Sequence, residues 1–247
     1  MGVGHGDIVK RPFAKTRDLR QGERRVLRGE RGVLVRAMGK LALRLCEFEN
    51  YWIFWRPRRI MTELLQGQRV LDVCCGSGDL SAELAAAGCQ VVGIDTSSRM
   101  LAYARQKRIA ATFDWMDAAA MPFRREFDAA VISLALHALS APLRGGVWEC
   151  MRRAVRPGGR LIALDYTPPQ RSTLFARTVY SIIDQDERAF LKSDPEHHQN
   201  FQEFMQNGGL RAWVLAREKN IERQHDYWGG TIELAVCRCS EMSRRTP

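Results

Sequence analysis

Residues 70–84 read VLDVCCGSGDLSAEL, an apolar run that enters Gly76-Ser77-Gly78 and leaves as a helical pattern. Glycines at such a junction let backbone approach a ligand where side chains would obstruct it. Taken alone, the glycine pair fits a plain strand-to-helix turn equally well. Asp72 lies inside the apolar run, four residues before Gly76, where a dinucleotide fingerprint carries an apolar residue. A carboxylate there suits a cationic amine and not a pyrophosphate. Ser81 also stands where the fingerprint has its third glycine, which disfavours NAD and FAD. Asp95 ends the next apolar run, at the spacing of about 20 residues from which an acidic side chain accepts ribose hydroxyls.

Outward from this loop, β-branched runs alternate with helical patterns, the signature of βαβ units and a mostly parallel sheet. Strands are expected at 69–75, 90–95, 111–115, 127–134 and 159–165, with helices near 79–87, 97–108 and 142–155. Pro157-Gly158-Gly159 would stop the last of these helices. A helical stretch over 172–208 follows, then strand candidates at 211–217 and 231–238, joined as a hairpin through Asp226 to Gly230. At the end of the third strand, Asp117 is placed to accept from an adenine amine, with the Ala118 amide donating to the ring; an N-cap before Ala-Ala-Ala is the plainer alternative. Together these positions define a nucleoside pocket at the carboxyl ends of the strands.

The combination resembles class I S-adenosylmethionine-dependent methyltransferases over residues 69–166. The matching stretches are VLDVCCGSGD, GIDTSSRML, MDAAAMPF, FDAAVISLALHAL and RAVRPGGRLIALDY. Within that class, CCGSGDL, YWGGTIELAV and FENYWIFWRPRRI resemble the ubiquinone/menaquinone C-methyltransferase family. The resemblance implies an α/β, Rossmann-like fold: a seven-stranded, mostly parallel sheet with an antiparallel last strand, helices on both faces and an N-terminal helical extension. It implies S-adenosyl-L-methionine as cofactor, held by Asp72, Cys74, Gly76, Ser77, Gly78, Asp95, Thr96, Met100, Asp117, Ala118, Ser133 and Tyr51. The favoured activity is methylation of a small lipophilic acceptor, a quinol ring carbon first. Where the quinone family has an Arg-Asn pair after the fourth strand, this chain has His137-Ala138, which is compatible with another small metabolite.

Methyl transfer from a sulfonium needs alignment and exclusion of water, and a base only when the acceptor must lose a proton. His137, after the fourth strand, is the leading candidate base, with a packing histidine as the alternative. Asp165 and Tyr166, after the fifth strand, are weaker candidates for touching the acceptor or shaping its pocket. Phe175, Val179, Ile182, Ile183, Phe201, Phe204 and Met205 give the 172–208 stretch apolar faces, which fit core packing or a substrate cover.

Composition bounds the remaining classes. Residues 1–60 carry 15 Lys or Arg against 6 Asp or Glu, which is +9 of the formal +10. Residues 1–32 read as a basic, loosely ordered tail, and 33–247 as one domain whose 33–60 segment forms amphipathic cap helices. Such an arm suits peripheral contact with anionic membrane, or nucleic acid. An RNA methyltransferase is the alternative, disfavoured because SLALHAL after the fourth strand lacks the Asn/Asp-Pro-Pro-aromatic and Pro-Cys motifs. A non-catalytic nucleoside-binding protein is a third reading. No apolar run reaches the roughly 18–20 residues of a membrane span, and the absence of a signal-peptide pattern points to the cytoplasm. Seven cysteines include adjacent Cys74 and Cys75, so free thiols are expected. No metal is expected: there is no CxxC pair, and His197 and His198, being adjacent, point to different sides of a helix.

Overall fold

Seven strands, β1 (Arg69–Val73), β2 (Gln90–Asp95), β3 (Ala111–Trp115), β4 (Phe127–Ser133), β5 (Val155–Tyr166), β6 (Ile221–Tyr227) and β7 (Ile232–Arg238), form one sheet in the order β3-β2-β1-β4-β5-β7-β6. This computed structural model describes residues 53–192 and 194–239. Around the sheet lie α1 (residues 53–65), α2 (Asp79–Ala86), α3 (Ser98–Gln106), α4 (Ala141–Ala154), α5 (Leu174–Arg188), α6 (Pro195–Gln206) and α7 (Gly209–Leu215). Only β7 runs against its neighbours, pairing antiparallel with β5 and β6. The sheet is thus the mostly parallel one expected.

The central strands are apolar on both faces because helices cover both, the usual pattern of parallel sheets. Val70, Leu71 and Val73 of β1, Ala129 to Ile132 of β4 and Leu161 to Leu164 of β5 are all buried. Edge strand β6 is different, since IERQHDY has no residue that is fully buried. Helix starts follow from local chemistry. Ser97 Oγ accepts from the Met100 amide at 3.3 Å, Thr173 Oγ1 from Ala176 at 3.1 Å, and Asp194 Oδ1 from His197 at 3.1 Å.

From β1 the chain proceeds to β2 on one side, while β4 pairs with β1 on the other: Val73 aligns with Ile94 in β2 and with Ile132 in β4. The crevice above this reversal is where open α/β sheets bind ligands. The loop after β1 and the turn after β4 therefore face the same space.

Three expectations need correction. Residues 211–217 are not a strand, since α7 spans Gly209–Leu215 and the segment leaves the helix in a turn. Leu210, Trp213 and Val214 are buried at helical spacing, and Gly208 at φ 89° stands at the N-terminal cap of the helix. The sixth strand is instead the polar Ile221–Tyr227, and Asp226 belongs to it; the hairpin turn starts only after Tyr227. Pro157-Gly158-Gly159 lies inside β5, after α4 has already ended at Ala154. Of the expected 33–58 helices only 53–58 falls within the described residues, where it is the start of α1; the 32/33 boundary lies outside them.

Phe113 of β3 ties the sheet to the glycine loop. A Cβ on Gly93 would come within 2.7 Å of its ring, and one on Gly78 within 2.9 Å. Gly93→Ala is therefore expected to destabilise the fold by about 1–3 kcal/mol through overpacking. Urea unfolding checks this, and Phe113→Leu in the same chain should recover part of the loss.

Candidate functional site

The loop after β1 is stapled to the end of β2. Asp95 Oδ2 accepts from the Gly76 amide at 2.8 Å, and Oδ1 accepts from Ser97 at 2.7 Å. Gly76 (φ 53°) and Gly78 (φ 73°) take left-handed conformations that suit glycine. A Cβ built on Gly76 meets nothing within 4 Å, so backbone there is open to a close-lying ligand. Each Asp95 oxygen keeps lone-pair capacity for a sugar hydroxyl.

Asp72 is 2% exposed and accepts from Ser81 Oγ at 2.5 Å. Burial pushes its carboxyl from the ordinary 3.8 up to about 7, against the hydrogen bond from Ser81 and the charge of Arg58. The neighbouring Cys74 thiol is pushed up to about 12, first by burial and then by the charges of Asp95, Asp72 and Asp117. All three carboxylates thus act on one point of the loop, a field suited to a cation.

The other expected cofactor residues distribute around this point. Asp117 is exposed and its Oδ1 accepts from the Ala119 amide at 2.8 Å, so the turn-capping alternative holds for one oxygen; Ala118 behind it is buried. The Thr96 carbonyl accepts from the indole of Trp115 at 2.6 Å, and Met100 is exposed in the first turn of α3. Ser77 Oγ donates to Asp79 Oδ2 at 2.7 Å. Ser133 Oγ, at the end of β4, is buried with no hydrogen-bond partner among the described residues. Tyr51 lies outside the described residues. An open glycine backbone and an orphaned hydroxyl at the crevice are what an adenosyl amino acid would occupy, so the residues fit the cofactor that the resemblance implies.

On the β4–β5 side, His137 sits in a 3-10 turn, Leu136–Ala138, and is 3% exposed. Its Nδ1 donates to Asp165 Oδ1 at 2.6 Å and its amide to Asp165 Oδ2 at 3.2 Å. Glu187 of α5 approaches its Nε2 at 3.4 Å and accepts from His197 Nε2 of α6 at 2.7 Å. Tyr166 and Phe201 complete an aromatic wall, with ring centroids 4.8 and 5.9 Å from the imidazole.

Burial alone would strip the proton from His137, but Asp165 and then Glu187 outweigh it and hold its pKa near 10. Glu187 is correspondingly held down at about 2 by the two histidines, despite its burial. Burial, then Glu187 and Asp165, raise the Tyr166 phenol well above its usual range. In this arrangement His137 is a hydrogen-bond donor at neutral pH and not a ready base. His197 and His198 do diverge, as expected of neighbours. Yet His197 meets His137 and Glu187, which no local spacing in the sequence brings together.

Three participants escaped sequence reading. Arg58 acts on Asp72 and pairs with Glu83 at 3.3 Å. Its only signal was its place in WRPRRI. Ser81 was read only as a missing glycine, and Glu187 lay unremarked in a polar helical stretch.

Residues 70–159 match the methyltransferase-domain family. The demethylmenaquinone methyltransferase of Beutenbergia cavernae is 41% identical over 104 residues, which are 42% of this chain and 42% of that protein. The chain therefore spans under half the length of that relative. A demethylmenaquinone methyltransferase from Mycobacterium sp. (strain KMS) is 33% identical over 190 residues, 73% of this chain and 80% of that protein. Among solved structures, an S-adenosylmethionine-dependent methyltransferase from Mesorhizobium loti shares the fold, with TM-score 0.54 and 19% identity over 75% of this chain and 97% of the other.

The raised Asp72 pKa fixes the sign of one prediction. Folding favours the protonated form, so this group's contribution to stability is greatest below pH 4 and falls as pH rises from about 4 to about 7. Asp72→Asn should remove that slope and stabilise the ligand-free chain at pH 8 by roughly 2–4 kcal/mol. If Asp72 holds the cationic amine that the resemblance implies, the same substitution should weaken S-adenosylmethionine binding at least about tenfold, since a charge-assisted contact would be lost. Thermal melts across pH 4–9 with calorimetric titration test both; a variant that melts lower at pH 8 contradicts the assignment.

Proposed function

The chain belongs to the class I S-adenosylmethionine-dependent methyltransferases, and on that premise we propose that it methylates a small lipophilic acceptor, with a quinol ring carbon as the favoured target. The observation that carries the cofactor half is the stapled glycine loop, with Asp95 holding the Gly76 and Ser97 amides, open space beside Gly76, and the buried Ser133 hydroxyl without a hydrogen-bond partner among the described residues. Asp72 would hold the amino group of the methionyl moiety, Asp95 the ribose hydroxyls, and Asp117 with the Ala118 amide the adenine edge. S-adenosylmethionine supplies an electrophilic methyl group on a sulfonium. What the chain contributes is alignment and a dry crevice.

The acceptor half rests on place and chemistry. His137, Asp165 and Tyr166 stand at the carboxyl ends of β4 and β5, beside the crevice that the glycine loop borders. Asp165 orients His137 through two hydrogen bonds, so the imidazole cannot turn away from the wall formed with Tyr166 and Phe201. That wall suits an aromatic ring, in keeping with relatives named for a quinone substrate. A second reading, methylation of another small metabolite, is favoured by His137-Ala138 standing where the quinone family has Arg-Asn.

Lipophilic acceptors reside in membranes, and among the described residues no helix is long and apolar enough to cross one. The +9 charge of residues 1–60 instead supports peripheral docking on anionic lipid. Binding of the full chain to phosphatidylglycerol vesicles should fall steeply between 50 and 300 mM salt, roughly as counterion screening demands. Sedimentation with neutral vesicles at equal extent would contradict docking by charge.

Calorimetry should detect one S-adenosylmethionine per chain, and Asp95→Ala should lower its affinity by about tenfold or more, since two amide partners and the sugar contacts lose their acceptor. Methyl-labelled cofactor incubated with a reduced demethylmenaquinone analogue should yield labelled quinol. Label appearing instead in a water-soluble metabolite from a cell extract would replace the quinol by the second reading.

A further inference from the structure

Outside the cofactor loop, the most unusual side-chain cluster is the meeting of His137, Glu187 and His197. They come from the turn after β4, from α5 and from α6 respectively, and one ligand atom from each lies within 4.8 Å of the others. Glu187 has one carboxylate oxygen facing each imidazole, at 3.4 Å for His137 and 2.7 Å for His197. The second nitrogen of His137, Nδ1, is already committed to Asp165, a residue with no exposed surface. That commitment points Nε2 at the cluster and fixes the ring.

We propose that His137, Glu187 and His197 form a binding site for one divalent first-row transition-metal ion. Two imidazoles and one carboxylate are a donor set that suits zinc, iron, cobalt or manganese, whereas magnesium and calcium prefer all-oxygen sets. A carboxylate that accepts from the far nitrogen of a ligating histidine is the recurrent partner of such sites, because it fixes the tautomer and raises the basicity of the donor; Asp165 fills that place. Metal–donor bonds of about 2.0–2.2 Å require tetrahedral donor separations near 3.3–3.6 Å. The longest edge of the cluster therefore needs to contract by about 1–1.5 Å, while the 2.7 Å Glu187–His197 hydrogen bond opens by about 0.6–0.9 Å and its proton passes to solvent, adjustments within reach of Glu187 and of the partly exposed His197. Three protein ligands leave a coordination position for water or an acceptor oxygen.

The site stands on these side chains alone; only its use on the acceptor rests on the methyl-transfer reading. A hydroxyl bound at the open position would lose its proton to solvent water more readily, because the cation stabilises the oxyanion left behind. For a quinol this raises the nucleophilicity of the ring carbon without a protein base.

The test is metal content of the full-length protein after dialysis against cobalt(II), then zinc(II), with thiols kept reduced. One equivalent per chain is expected, and the cobalt form should show visible d–d bands of a nitrogen–oxygen site. His197→Gln and Glu187→Gln should each weaken binding by about 10–100-fold. Both variants should melt cooperatively and still bind S-adenosylmethionine, which separates loss of metal from loss of fold. Less than a tenth of an equivalent in the wild type overturns the inference, as do unchanged stoichiometry in both variants or a cobalt–thiolate charge-transfer band, which would move the metal to cysteine. Methyl transfer by a metal-free wild type would sink the metal's use on the acceptor and leave the cofactor reading intact.

Discussion

Two backbone amides, those of Gly76 and Ser97, converge on the carboxylate of Asp95, and the upper face of the sheet is organised by that convergence. One amide belongs to the loop leaving β1 and the other to the entry of α3. A single side chain therefore holds two crossover connections in register. Gly76 is turned outward by the same bond, and Phe113 fixes Gly78 from below by packing where a Cβ would otherwise stand. Without this staple the three acidic residues would belong to separate loops; with it they act on one volume.

The crevice is electrically divided. On the β1–β3 side, Asp72 is buried deeply enough that its charge is poorly tolerated, even with the Ser81 hydroxyl and Arg58 acting on it. On the β4–β5 side, two carboxylates and two histidines are interleaved, so the groups are held in fixed orientations.

The sheet was legible because its central strands are buried on both faces and hence nearly uninterrupted runs of apolar residues, bounded by glycine turns. Reading failed where those conditions lapse. Ile221–Tyr227 is a polar edge strand with no apolar run to betray it, and RAWVLAR has strand-like composition but buries residues at helical spacing. The grouping of residues around the glycine loop was legible because they lie at fixed offsets from strands in one local stretch. Glu187 and His197 were not, because their meeting with His137 depends on how α5 and α6 fold back over β4. No spacing along the chain encodes that approach.

The burial of Asp72 has a bearing on the life of the protein in its cell. A ligand that neutralises this group shifts the folding equilibrium in proportion to its concentration over its dissociation constant. Proteases act on transiently opened chains, so copies lacking the methyl donor would be cleared faster than copies holding it. Bound donor would then lengthen the lifetime of each copy, whichever side chains hold it.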